Sequence, residues 1–181
     1  MCDTSYESFA NQAVQSHEEW NNSLTLHPKL ILDKDHYRLD GLIIKKPGSP
    51  PIPSPIAKIF RKYNAIDYKS PSESLNIISF YKALSYAYGL PDCLNDPTAV
   101  NQITLTLVSH HFPRKLVRFL EAQAPFSSSK VFEKVSNGIY YMCNSQLPIQ
   151  LIVLPQLDPD EYPWISCLDK HIMDGTLDAR S

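Results

Sequence analysis

The feature that most restricts the fold is a proline run. Residues 47–55 read Pro-Gly-Ser-Pro-Pro-Ile-Pro-Ser-Pro. Proline lacks an amide donor, so such a run cannot continue a sheet. It has to be an extended connection between ordered segments. Upstream, residues 36–46 carry Tyr37, Leu39, Leu42, Ile43 and Ile44 and predict a strand. Downstream, residues 57–69 carry Ile59, Phe60, Tyr63, Ile66 and Tyr68 and predict a second one. Too little core precedes the run for it to divide two domains.

Each of these strands holds an acid. Asp40 lies inside an apolar run, and burying a carboxylate without a partner is expensive. It needs a metal, a cation, hydrogen bonds or an exposed strand face. Asp67 stands two residues before Lys69. In a strand, residues i and i+2 share a face, so these two project together while Ile66 and Tyr68 pack on the other side. Taken alone, Asp-x-Lys also describes an ordinary surface ion pair. The proline loop, however, lets the two strands lie side by side, where Asp40 and Asp67 can share one divalent cation. Magnesium suits such a site, because it takes oxygen ligands and keeps several waters. Lys69 beside it can orient a water or stabilise developing charge.

The remaining segments set these strands in order. Residues 4–22 predict a helix with Thr4 and Glu7 at capping-box spacing. Glu18 and Glu19 lie near its end, where solvated charge is the plain reading. Residues 24–32 alternate leucines with polar residues across Pro28 and suit a short strand. Ser72 or Ser74 is the expected cap of a helix running to Tyr88 and stopped by Gly89-Leu90-Pro91. Ile77, Tyr81, Leu84 and Tyr88 form its apolar stripe. Lys82 and Tyr86 share a neighbouring face, in the plain reading a surface lysine and a packing tyrosine. Residues 102–109 predict a strand that ends at His110-His111, adjacent histidines that point to opposite faces and chelate poorly.

Pro113 opens a helix to Gln123, with Leu116, Val117 and Leu120 inward and Arg114, Lys115 and Arg118 on a small basic face. Strands at 131–134 and 139–143 flank the turn signal Asn137-Gly138, and 150–154 is a buried strand. Asp158-Pro159 is expected to start a last helix.

The 181 residues suffice for one domain, placed at residues 1–172, with 173–181 expected to fray. A net charge of −2 argues against coating nucleic acid through a general basic surface, though it leaves a local basic cleft open. Cys2, Cys93, Cys143 and Cys167 are too scattered to suggest a zinc cluster or a disulfide framework. No apolar run reaches transmembrane length, so the expectation is no membrane partner and a cytoplasmic setting.

The ordered series of segments resembles the PD-(D/E)XK nuclease superfamily, and within it a group of uncharacterised bacterial proteins. The resemblance rests on Leu39-Asp40-Gly41-Leu42-Ile43-Ile44-Lys45-Lys46, on Ile59-Phe60-Arg61-Lys62-Tyr63-Asn64, and on Ile66-Asp67-Tyr68-Lys69-Ser70-Pro71. It continues through Phe80-Tyr81-Lys82, Tyr86-Ala87, Gly138-Ile139-Tyr140-Tyr141, the strand at Gln150 and Leu157-Asp158-Pro159. It spans roughly residues 20–170.

The resemblance implies an α/β, restriction-endonuclease-like fold, a mixed β-sheet flanked by helices. The implied activity is metal-dependent hydrolysis of phosphodiester bonds, in DNA, by an endo- or exodeoxyribonuclease using Mg²⁺ or Mn²⁺. Asp40 and Asp67 match the metal-binding acids, and Lys69 the catalytic lysine. The Tyr68 carbonyl is the implied further ligand. Lys82 and Tyr86 are implied helpers at the phosphate, and Glu19 or Glu18 is the implied first-helix acid. The narrower group usually carries Glu where Asp67 stands, so this chain presents its acid on a shorter arm. An inactive binding or interaction module on the same fold is the alternative, and a homodimer stays open.

Overall fold

The computed structural model describes residues 23–33, 37–123 and 130–162. The expected first helix with Glu18 and Glu19, any helix beyond Pro163 and the tail from 173 lie outside the described residues.

A seven-stranded mixed sheet organises these residues, in the order β1-β2-β3-β4-β7-β6-β5. Strands β1 (Leu24–Asp33), β2 (Tyr37–Lys45) and β3 (Tyr63–Tyr68) form an antiparallel meander. Strand β4 (Ile103–Ser109) runs parallel to β3, and β7 (Ile149–Val153) parallel to β4. The hairpin of β5 (Phe132–Ser136) and β6 (Ile139–Met142) closes the far side, with β6 antiparallel to β7. The chain is thus α/β, with a mixed sheet flanked by helices. Among the described residues no helix is long and apolar enough to cross a membrane.

Strand β1 continues through Pro28, which pairs with Gly41. It is the edge strand, where a missing donor leaves no neighbour unsatisfied. Every residue of β4 and β7 is buried, as expected for parallel strands covered on both faces. Gly138 turns the β5–β6 hairpin with φ +73°, a conformation that favours glycine.

Three predicted elements need correction. The segment at 57–69 is not one strand. Pro55 starts a short helix, α1 (Pro55–Lys58), and β3 begins only at Tyr63. The break is fixed by Asn64, whose side chain accepts from the Arg61 amide at 3.0 Å and donates to the Arg61 and Ile43 carbonyls.

Helix α2 (Ile77–Cys93) is capped by Asn76 rather than by Ser72 or Ser74. Asn76 Oδ1 accepts from the Ser79 amide at 2.9 Å, and Ser79 Oγ accepts from the Asn76 amide at 2.8 Å. The helix also runs through Gly89 and Pro91 instead of stopping there, because Leu90 and Pro91 are buried in the core. Its buried face is Phe80, Ala83, Tyr86, Ala87 and Leu90, while Tyr81 and Tyr88 are about half exposed. The predicted stripe is therefore rotated toward solvent, with only Ile77 and Leu84 packing against the core.

The third correction concerns Asp158. It opens a turn, accepting from the Asp160 amide through Oδ1 and from the Tyr162 amide through its carbonyl.

The sheet separates two cores. On one face α2 and α3 (Arg114–Gln123) bury Phe80, Leu90 and Leu116 against Ala65, Leu105, Leu107 and Leu151. On the other, Ile56, Ala57 and Phe60 cover Ile43, Ile66, Val108 and Ile152. Gln150 fastens α1 to this second face, donating to the Ile56 carbonyl at 3.0 Å and to Thr106 Oγ1 at 2.9 Å.

Candidate functional site

The antiparallel register of β2 and β3 runs from Ile44 opposite Tyr63 to Gly41 opposite Ile66. One further step along it places Asp40 across from Asp67. Pairing by backbone stops at Gly41, and the Asp40 side chain takes over: Oδ2 accepts from the Tyr68 amide at 2.8 Å. The carboxylate inside the apolar strand is thus partly answered by a backbone donor, one of the solutions its position demands.

Ala65, Asp67 and Lys69 alternate onto the face covered by α2 and α3. Ile66 and Tyr68 pack on the opposite face, as the sequence predicts. Asp67 is only 7% exposed. Lys69 Nζ lies 3.0 Å from its Oδ1 and 2.9 Å from its Oδ2. The second contact is an ion-pair approach only, since the buried Oδ2 accepts no hydrogen bond.

Burial pushes the Asp67 carboxyl up to about 6, and the negative charges of Asp40 and Glu73 push the same way against the pull of Lys69. Two carboxylates therefore stand on adjacent strands, near enough for Asp40 to raise the Asp67 carboxyl, with Lys69 paired to Asp67.

Glu73 is the site neighbour that sequence reasoning missed. It accepts from the Ser70 amide at 3.0 Å and from Ser70 Oγ at 2.8 Å, closing the loop after β3. Partial burial raises its pKa, but these two bonds and Lys69 outweigh that and hold it below the usual range. The signal was present: Ser-x-x-Glu is the spacing of a reciprocal cap.

Of the other expected residues, Lys82 and Tyr86 lie on α2, and Tyr68 joins the cluster through its amide. Lys82 lies over the Tyr86 ring, 5.6 Å from its centroid, and is not among the charges felt at Asp67. Tyr86 is buried in the α2 core. Tyr68 gives its amide to Asp40 and its hydroxyl to a 3.1 Å hydrogen bond with His110 Nε2. Glu19 lies outside the described residues.

The donor set suits a hard divalent cation. Asp40 and Asp67 are oxygen donors of like charge, and Asp67 Oδ2 is a buried acceptor without a hydrogen bond. A cation there would offset the burial, and the lesser repulsion from Asp40 and Glu73, that raise the Asp67 carboxyl. Among the described residues no group of three or more His, Cys, Asp or Glu side chains is placed to hold a metal ion.

Compared with known proteins, the chain matches no family model, no curated protein and no solved structure. The fold and site define a class of architecture: an α/β protein whose mixed sheet carries two carboxylates on adjacent strands and a lysine at the end of β3.

Proposed function

We propose that the chain is a metal-dependent nuclease-like domain of the PD-(D/E)XK type, hydrolysing phosphodiester bonds in DNA. The observation that carries this reading is the buried Asp67, near Asp40 across the β2–β3 pair and flanked by Lys69 on the same face. The order of elements supports it: strand with Asp, strand with Asp-x-Lys, helix, strand.

Asp40 and Asp67 would hold Mg²⁺ or Mn²⁺, with the Tyr68 carbonyl as a further donor. When bound, such a cation acidifies a water and stabilises charge on a phosphate. The chain's own residues do the rest. Asp40 is oriented by the Tyr68 amide, so its carboxylate needs little reordering. Lys69 is held at Asp67 and can turn its ammonium toward an anionic phosphate oxygen. Glu73 stiffens the loop leaving the site.

The test is cleavage of plasmid and single-stranded DNA in Mg²⁺ or Mn²⁺. Wild type is expected to cut, and Asp67→Ala and Lys69→Ala to lose at least about a hundredfold in rate. Equal cleavage by all three would remove the assigned site.

One observation favours the second reading, an inactive binding module. Lys69 already pairs with Asp67, so the buried charge has a partner within the chain without any metal. Calorimetry separates the two, because the module reading predicts no Mn²⁺ binding with both acids intact.

A further inference from the structure

A cavity of about 540 Å³ opens between the N-terminal ends of α2 and α3. That is within the roughly 300–1,000 Å³ of small-ligand sites. Its floor is apolar, with Leu75, Ile77 and Phe112, and Ile78 stands at its mouth 80% exposed. Arg114 and Lys115 form its rim. None of its lining residues is acidic, although the chain as a whole is net negative.

The chain path leads from the candidate site to the cavity. Strands β3 and β4 are parallel neighbours, paired up to Tyr68 and Val108. The cavity is built from the two segments that leave their C-terminal ends, beginning at Ser74, the residue after Glu73. It lies on the α2–α3 side of the sheet, the side of Asp67 and Lys69. Ligands of open α/β sheets bind in the same place, beyond the carboxyl ends of the strands.

Resting on the nuclease reading above, we propose that this cavity receives one unpaired nucleotide of a DNA strand, next to the phosphate at Asp67 and Lys69. The base enters the apolar floor beside Phe112, and its phosphate meets Arg114 and Lys115. Apolar and aromatic walls bind bases with little sequence preference, and a cationic rim tracks the backbone. The basic face of α3 thus has a role besides solvation. The substrate class is accordingly single-stranded or frayed DNA, because a base inside an intact duplex cannot enter such a cavity without unpairing.

The test is fluorescence anisotropy with a short labelled oligothymidylate and with a blunt duplex, using the wild-type chain in EDTA, so that binding is read without cleavage. Ile78→Glu sets a carboxylate at the mouth, and Arg114→Ala with Lys115→Ala removes the rim. All three positions are exposed, so the fold tolerates the changes. Single strand is expected to bind more tightly than duplex, and each variant to lose about tenfold or more in affinity. The rim variant is also expected to flatten the salt dependence by about one unit of slope.

Unchanged binding in Ile78→Glu and in the rim variant would overturn the proposal, as would equal affinity for blunt duplex. Either result stands whether or not wild type cleaves DNA in Mn²⁺. Failure of that separate cleavage assay bears only on the nuclease reading.

Discussion

Asp67 is held where its charge is disfavoured. Its folded pKa of about 6 lies above the 3.8 of an ordinary aspartate, chiefly through burial. The folded state therefore binds a proton more readily than the unfolded one, and stability falls as pH rises from about 4 to about 6. Above that window the cost is complete, on the order of 3 kcal/mol. Asp67→Asn removes the charge but strands Lys69, so the net gain is expected to be about 1 kcal/mol at about pH 8 and to vanish near pH 4. Urea titrations at the two pH values check this. Loss of stability at the higher pH would show that the Lys69 pair outweighs burial.

The pairing of Asp67 with Lys69 is legible from strand parity, and the approach of Asp40 from the proline connection that lets β2 and β3 lie side by side, although α1 within that connection is not. Glu73 was overlooked because its place depends on a turn at Ser70 that no apolar pattern marks.

At the scale of elements, strands were easier to read than helix ends. The alternation and buried runs at β4 and β7 are dictated by burial on both faces. Helix α1 was hidden inside a short apolar run, where periodicity does not distinguish strand from helix. Ser72 and Ser74 suit the cap of α2 by residue type, but only Asn76 has Ser79 three residues on to reciprocate. The apparent stop at Gly89 and Pro91 was overridden by burial of Leu90.

The turn signal at Asn137-Gly138 does join β5 to β6, and it carries a sharper prediction. A Cβ at Gly138 would lie 2.7 Å from the Leu157 amide nitrogen and 2.8 Å from the Val153 carbonyl oxygen, both backbone atoms. Gly138→Ala combines this clash with a positive φ and is expected to cost more than about 1 kcal/mol. Thermal or urea unfolding checks it, and a neutral result would mean that the hairpin packs less closely against the 3₁₀ turn at Leu154–Gln156.

At the scale of the whole molecule, the antiparallel meander meets the parallel half of the sheet at β3. The candidate site lies at that junction, so a cation shared by Asp40 and Asp67 would join β2 to β3 where their backbone pairing ends. Binding to the folded state alone stabilises it by mass action, about 2.7 kcal/mol at a hundredfold excess over Kd. The most direct measurement is the unfolding midpoint with and without saturating Mn²⁺, in wild type and in Asp40→Asn. Wild type is predicted to rise by roughly 5–10 °C and the variant by little or nothing. A wild-type midpoint indifferent to Mn²⁺, or an equal rise in Asp40→Asn, would contradict a metal site between these two acids.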